Sequence, residues 1–139
     1  MTAVAATLRL EIVTPLVTAF SEDVSMVTLP AVEGQIGVLP QHIHLITQLV
    51  PGEVIVNQDG HERLLAVGEG LVEITASRVV IVTDMAIPAD QIDEAIVEEA
   101  RERAAARLRE KISDEEVASV NASLARSLAQ LHVKRRGRS

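Results

Sequence analysis

The stretch Val79-Val-Ile-Val-Thr-Asp-Met-Ala-Ile-Pro-Ala-Asp-Gln-Ile-Asp-Glu-Ala-Ile96 contains two periodicities, and the change between them divides the chain. Before Pro88, the β-branched run Val79-Val-Ile-Val82 reads as a strand. After it, Ile92, Ile96, Ala100, Ala104, Leu108 and Ile112 recur every four residues, a slowly rotating apolar stripe along a helix. The expected fold class is mainly β plus α. A β-sandwich domain covers 1–88, a helical hairpin 89–133 and a basic tail 134–139.

Upstream of the change, the grammar is that of strands. Leu8, Leu10 and Ile12 alternate with Arg9 and Glu11, the period-2 signature of a strand buried on one face. Val54-Ile-Val56, Leu71-Val-Glu-Ile74 and Val79-Val-Ile-Val82 carry little polarity, so they are expected to be covered on both faces or to lie at a sheet interface. Turn signals recur at Thr14-Pro15, Glu33-Gly34, Pro51-Gly52, Asp59-Gly60, Gly68-Glu-Gly70 and Ala76-Ser77. Asp59-Gly60 predicts a hairpin, because Gly accepts the positive φ of a tight turn. Many short strands with frequent turns point to an antiparallel sandwich or barrel.

Downstream, Asp90 is the expected helix cap, with the Asp93 carboxylate beside the exposed amides of the first turn. Ser113-Asp-Glu-Glu116 matches a capping box and predicts a second helix. Val117, Val120, Leu124, Leu128 and Leu131 give that helix one apolar edge. So short a turn forces the two helices antiparallel, each about 20 residues and roughly 30 Å long. The seam is rich in alanine, which buries little area, so the hairpin is expected to cohere weakly unless docked. Lys134-Arg-Arg-Gly-Arg138 reads as a disordered end.

Composition limits the function classes. Aromatics are 1% of 139 residues and Phe20 is the sole one, so the core must be aliphatic. A net charge of -7 without Trp or Tyr gives neither the cationic footprint nor the stacking rings that nucleic-acid binding uses. Without cysteine there are no disulfides, thiolate nucleophiles or zinc-thiolate sites, and a reducing compartment, by default the cytosol, fits. No apolar run reaches the roughly 18 residues of a membrane span, and Met1-Thr-Ala-Val-Ala-Ala-Thr-Leu8 has no basic segment before its apolar residues. A soluble chain is expected, reaching a membrane only through a partner. Charge is uneven: residues 1–88 and 89–133 are net acidic, whereas 134–139 is purely basic.

The motif-bearing segment is Glu33-Gly-Gln-Ile-Gly-Val-Leu-Pro-Gln-His42, read as a loop in which two glycines permit tight turns and Pro40 stiffens the exit. It lacks the Lys-Ser/Thr of a phosphate loop and the following helix of a dinucleotide fingerprint. His42 and His44 would share a face if both lay on a strand, but no third ligand stands at metal-site spacing, so no metal site is assigned. No nucleophile elbow is present, and the lysines Lys111 and Lys134 lie in or after the helices, so no catalytic residue is assigned. Glu98, Glu99, Arg101, Glu102, Arg103, Arg107, Arg109 and Glu110 read as a solvated helix face. Arg126 and the basic tail are suited to an acidic partner.

The segment Glu33 to His42, together with Leu45-Ile-Thr, Pro51-Gly52, Gly68-Glu-Gly-Leu-Val-Glu73, Val82-Thr-Asp84, Ala86-Ile87 and Ile92-Asp-Glu-Ala95, closely resembles the epsilon subunits of bacterial F-type ATP synthases over essentially the whole chain. The resemblance implies a noncatalytic rotor subunit, peripheral at the cytoplasmic face of the bacterial inner membrane. Its sandwich would clamp the gamma subunit and touch the ring of c subunits, coupling proton-driven rotation to ATP formation elsewhere. Glu33, Gln35 and His42 are then the expected ring contacts. The hairpin would fold on the sandwich or extend toward the catalytic alpha and beta subunits and block hydrolysis, with Arg126, Lys134 and Arg135 as the contacts.

Some members of that family bind ATP as a regulatory ligand through I/L-D-x-x-R-A and further arginines. Ile92, Asp93, Arg103 and Arg126 match positions of that pattern, but Ile96 and Val97 stand in its Arg and Ala slots. Losing that cation removes charge-assisted hydrogen bonds worth about 1.5–3 kcal/mol each, which argues against ATP sensing. A stand-alone nucleotide-sensing module is the alternative reading, and a small sandwich enzyme a further one.

Overall fold

A computed structural model of the chain describes residues 6–42 and 44–137. Ten strands come first: β1 (Leu8–Val13), β2 (Thr18–Val24), β3 (Met26–Ala31), β4 (Gly34–Val38), β5 (Leu45–Leu49), β6 (Gly52–Gln58), β7 (His61–Val67), β8 (Gly70–Ile74), β9 (Arg78–Thr83) and β10 (Ala86–Pro88). A 3-10 turn, Ala89–Gln91, leads into α1 (Glu94–Leu108) and α2 (Asp114–Arg136). The sandwich-then-hairpin class expected from the periodicities is the observed one.

The strands run in the order β10-β7-β6-β3-β5-β8-β9-β1-β2, with β4 added to β3. Neighbours are antiparallel except β1 and β9, which are parallel. β3 is the corner strand: one edge pairs with β6 through Met26, Val27 and Thr28, then with β5 at Ala31. The sheet folds over there into two layers.

Alternate residues fill the space between the layers, as period 2 requires. Leu8, Leu10 and Ile12 of β1, Val27 and Leu29 of β3, Val54 and Val56 of β6, Val72 and Ile74 of β8, and Val79 and Ile81 of β9 are all at most 2% exposed. Burying each such aliphatic side chain is worth about 1.5–3 kcal/mol, which is how a core with one aromatic, Phe20, can hold. Between β6 and β7, Asp59 and Gly60 adopt φ of 51° and 77°, the paired left-handed conformation expected of a two-residue hairpin turn.

The expectation of cover on both faces holds for one layer only. Glu53 and Ile55 of β6 point away from the core but are buried and half-buried, because α2 packs over β6 and β7. On the other layer Leu71 and Val82 are 59% and 53% exposed. Nothing among the described residues covers them.

The helices depart from the sequence reading in four respects. The cap of α1 is Asp93, whose Oδ1 accepts from the amides of Ala95 at 3.1 Å and Ile96 at 3.3 Å, while Asp90 belongs to the 3-10 turn. The lengths are 15 and 23 residues rather than equal. Only half of the capping box forms: Ser113 Oγ accepts from the Glu116 amide at 3.2 Å, but the Glu116 carboxylate turns to Arg107. The seam is also split. Ala100, Ala104 and Leu108 are half-buried, as are Val117, Val120 and Leu124, whereas Ile96 and Leu128 are exposed. Helices that must pack on each other and on a sheet need two stripes. The second comprises Ile92, Val97, Leu131 and Val133, clustered with Ala66 and flanked by Leu64, Met85 and Ile87.

The basic end is helical through Arg136 rather than disordered, its cations meeting the Ala89 carbonyl, Glu94 and Glu98 of α1, and Glu53 of β6; Arg138 lies outside the described residues.

Candidate functional site

Glu33 lies in the two-residue turn between β3 and β4, exposed at the tip of a hairpin. Half of the segment read as a loop is therefore strand, Gly34–Val38, with Gln35 exposed on β4 opposite Pro30. Gly34 has φ of +125°, a conformation that side-chain-bearing residues rarely adopt. A Cβ at Gly37 would meet Met26 Cε at 2.8 Å. After Val38, which is fully buried, the chain is tied to the β8–β9 turn by the Gln41 amide donating to the Ala76 carbonyl at 2.7 Å. His42 is half-buried just beyond, and His44 is exposed. Neither histidine is on a strand, so the shared face on which a two-histidine metal pair would depend does not exist. Glu33 and Gln35 share one exposed hairpin, with His42 after it.

The bare layer carries a feature the sequence reading missed. Leu71 of β8 pairs directly with Val82 of β9 on the outward face, and Ile46 of β5, 70% exposed, stands opposite Glu73 on the same face. Val13 and Pro15 join Leu71 and Val82 around a shallow depression, and Leu16 and Val17 of the β1–β2 turn are 96% and 61% exposed. The signal was in the spacing: Leu71 and Glu73 share a face, so the outward side of β8 holds both an apolar and a charged residue. Contiguous exposed apolar surface of this kind marks an interaction site.

The basic side chains of α2 all have intramolecular partners. Arg126 lies 3.3 Å from Asp84 Oδ2 and donates to Ser123 at 3.1 Å. Lys134 Nζ donates to the Ala89 carbonyl at 3.4 Å. Arg135 bridges to Glu94 and Glu98 of α1, each at 3.0 Å, and Arg136 reaches Glu53 on β6. Arg135 thus fastens the helices together, whereas Arg126, Lys134 and Arg136 fasten the hairpin to the rest of the chain. Hydrogen bonding from Arg101, and then the field of Arg135, lower the Glu98 pKa against the opposing effect of burial. The hydrogen bond that Arg135 donates to Glu94 raises the Arg135 pKa.

The four residues matched to the ATP pattern have separate local roles. Ile92 is buried under the hairpin, Asp93 caps α1, Arg103 pairs with Glu99 at 3.1 Å, and Arg126 with Asp84.

A sandwich of this topology carrying a docked two-helix hairpin matches two family models in succession. Residues 7–89 match the β-sandwich domain of the ATP synthase Delta/Epsilon chain, and residues 90–135 its long alpha-helix domain. The chain belongs to the ATP synthase delta/epsilon chain family. The ATP synthase epsilon chain of Herpetosiphon aurantiacus is 40% identical over 126 residues, 91% of this chain and 93% of that one. Its counterpart in Chloroflexus aggregans is 41% identical, with 91% of each chain covered. Among solved structures, a mitochondrial ATP synthase assembly of Euglena gracilis shares the fold with a TM-score of 0.78 at 23% identity, covering 94% of this chain and 82% of that one.

As a delta/epsilon family member, the chain is a noncatalytic rotor subunit of an F-type ATP synthase. The family's two domain models meet at 89/90. Among the described residues, no helix is long and apolar enough to cross a membrane.

Proposed function

We propose that the sandwich of this delta/epsilon chain grips the gamma subunit through the bare face of β5, β8 and β9, and presents the β3–β4 hairpin to the ring of c subunits. Proton-driven ring rotation is then passed on to the catalytic subunits, and the chain itself makes no bonds. The observation that carries this reading is the exposed cluster Ile46, Leu71 and Val82, which lies on the layer the hairpin leaves free. A rigid sheet presenting an apolar face suits the transmission of torque, since apolar contact binds without needing a particular side-chain direction. Glu33 and Gln35, exposed on a hairpin, with His42 beyond it, are the ring contacts in this reading. The complex, not the chain, holds the membrane, at the cytoplasmic face of a bacterial inner membrane.

In the same reading the hairpin is a brake on hydrolysis. The docked form described here is its stored state, and the released form offers Arg126, Lys134 and Arg135 to the alpha and beta subunits. These cations already pair with carboxylates and a carbonyl, so an acidic partner offers them equivalent chemistry.

Leu71→Asp tests the gripping face. The residue is 59% exposed, so the variant should fold with an unchanged circular dichroism spectrum and fail to co-elute with a gamma-containing catalytic complex. Undiminished co-elution would exclude this face.

A further inference from the structure

Glu53 is a buried carboxylate that neither torque transmission nor ring contact calls for. It lies on the face of β6 turned away from the core and is 7% exposed beneath the last turns of α2. Its Oε1 accepts from Arg136 Nη1, 83 residues further along the chain. Its Oε2 is buried without a hydrogen-bond partner among the described residues. Among the described residues the other cation-forming group beside it is His132, whose Nε2 is 4.0 Å from Oε2, beyond hydrogen-bond reach, on a side chain 67% exposed.

The two ends of this pair differ in what they lose when the other leaves. Arg136 has a side chain 44% exposed and can turn to water, whereas Glu53 cannot while the hairpin covers it. A buried ion pair is close to break-even against apolar residues of similar size, but breaking it from one side strands a charge in a poor medium. Only release of the hairpin returns Glu53 to water. Arg135 bonds α1 rather than the sandwich, so it keeps the hairpin closed on itself in either state.

We propose that the Glu53–Arg136 pair is a one-sided release latch, in which capture or loss of the Arg136 cation ejects the hairpin from the sandwich because it strands the buried Glu53 carboxylate. The capturing group would be an anionic side chain or C-terminus presented by a partner surface. Docking therefore reports whether α2 is helical through Arg136 with that cation held by Glu53 rather than by a partner's anion. This bears on the brake reading above, since it sets when the hairpin is released, but it concerns docking in the free chain and stands apart from any effect on hydrolysis.

The chain has no cysteine, so a spin-label pair can be introduced cleanly at Glu62→Cys on β7 and Lys111→Cys in the turn between the helices, both exposed positions. Electron-electron double resonance at about pH 8, where an ordinary histidine is neutral, then separates docked from released hairpins by distance. Arg136→Met should raise the released-to-docked ratio about tenfold or more, given the cost of an unpaired buried charge. Glu53→Met, which leaves an apolar side chain under α2, should leave the ratio within about twofold, and the double variant Glu53→Met/Arg136→Met should restore docking. Equal release by both single variants would show an ordinary two-sided salt bridge and overturn the latch, as would no release by Arg136→Met. Hydrolysis measured on the same variants in the assembled enzyme tests the brake separately: an Arg136→Met hairpin that is released but leaves hydrolysis unchanged removes the brake and keeps the latch.

Discussion

Arg126 Nη1 of α2 lies 3.3 Å from Asp84 Oδ2 in the turn between β9 and β10, and Gly68 is what leaves room for that carboxylate. A Cβ on Gly68 would meet Asp84 Oδ1 at 1.9 Å and Arg126 Cδ at 3.5 Å. Gly68→Ala should therefore fold, because a side-chain terminus can swing aside, but should displace Asp84 and break its pair with Arg126. Amide hydrogen exchange in α2 should become several-fold faster around Arg126, while β1, β3 and β9 keep their protection. Unchanged exchange in α2 would show that the Asp84–Arg126 contact does not help hold the hairpin.

Gly70 is the contrasting position. A Cβ there would meet the Val82 carbonyl oxygen at 1.8 Å and Thr83 Cα at 2.9 Å, both backbone, so nothing can swing aside. Gly70→Ala should cost about 1–3 kcal/mol or more, as overpacking does, and lower the thermal midpoint of the whole sandwich. A midpoint equal to that of Gly68→Ala would contradict this ranking of the two glycines.

Asp93 accepts two amide hydrogen bonds at the start of α1. Asp93→Ala should lower stability by about 1 kcal/mol, and Asp93→Asn or Asp93→Ser should recover most of it, since either side chain can accept the same bonds. Asp90→Ala, by comparison, removes no cap of α1 and should be close to neutral in chemical denaturation.

Acidification should loosen the hairpin at its helix–helix seam. Hydrogen bonding from Arg101, with help from Arg135, holds the Glu98 carboxyl below its ordinary value of 4.5. A carboxylate whose folded pKa is depressed contributes stability that is complete above 4.5 and disappears as pH falls through the lower folded value. Helix content followed by circular dichroism should decline on the acid side of 4.5, and Glu98→Gln should flatten the part due to this group. An identical acid limb in Glu98→Gln would assign the transition to other carboxylates.

Much of this architecture was legible because backbone geometry imposes it. Period-2 alternation in β1 and the Asp59–Gly60 turn follow from where side chains point and which φ a residue tolerates, and both are local properties. The helix boundaries were off by a few residues because Asp90 and Asp93 are both competent caps, and only packing of Ile92 beneath the hairpin selects the second. Glu33 to His42 reads as a loop because its glycines suggest turns, yet cross-strand pairing with β3 makes half of it, Gly34–Val38, a strand. The bare face at Leu71 and Val82 escaped notice because an apolar run looks the same whether its second face meets a helix or solvent. Glu53 was invisible for a related reason: α2 covers it, and its partner Arg136 stands 83 residues away.

Association of the intact chain with a gamma-containing catalytic complex is the most direct measurement. Full-length chain mixed with that complex should co-elute on size exclusion at one copy per gamma subunit and reduce ATP hydrolysis. The same chain eluting alone, with hydrolysis unaltered at saturating chain, would contradict the assignment of the sandwich as the part that grips the rotor.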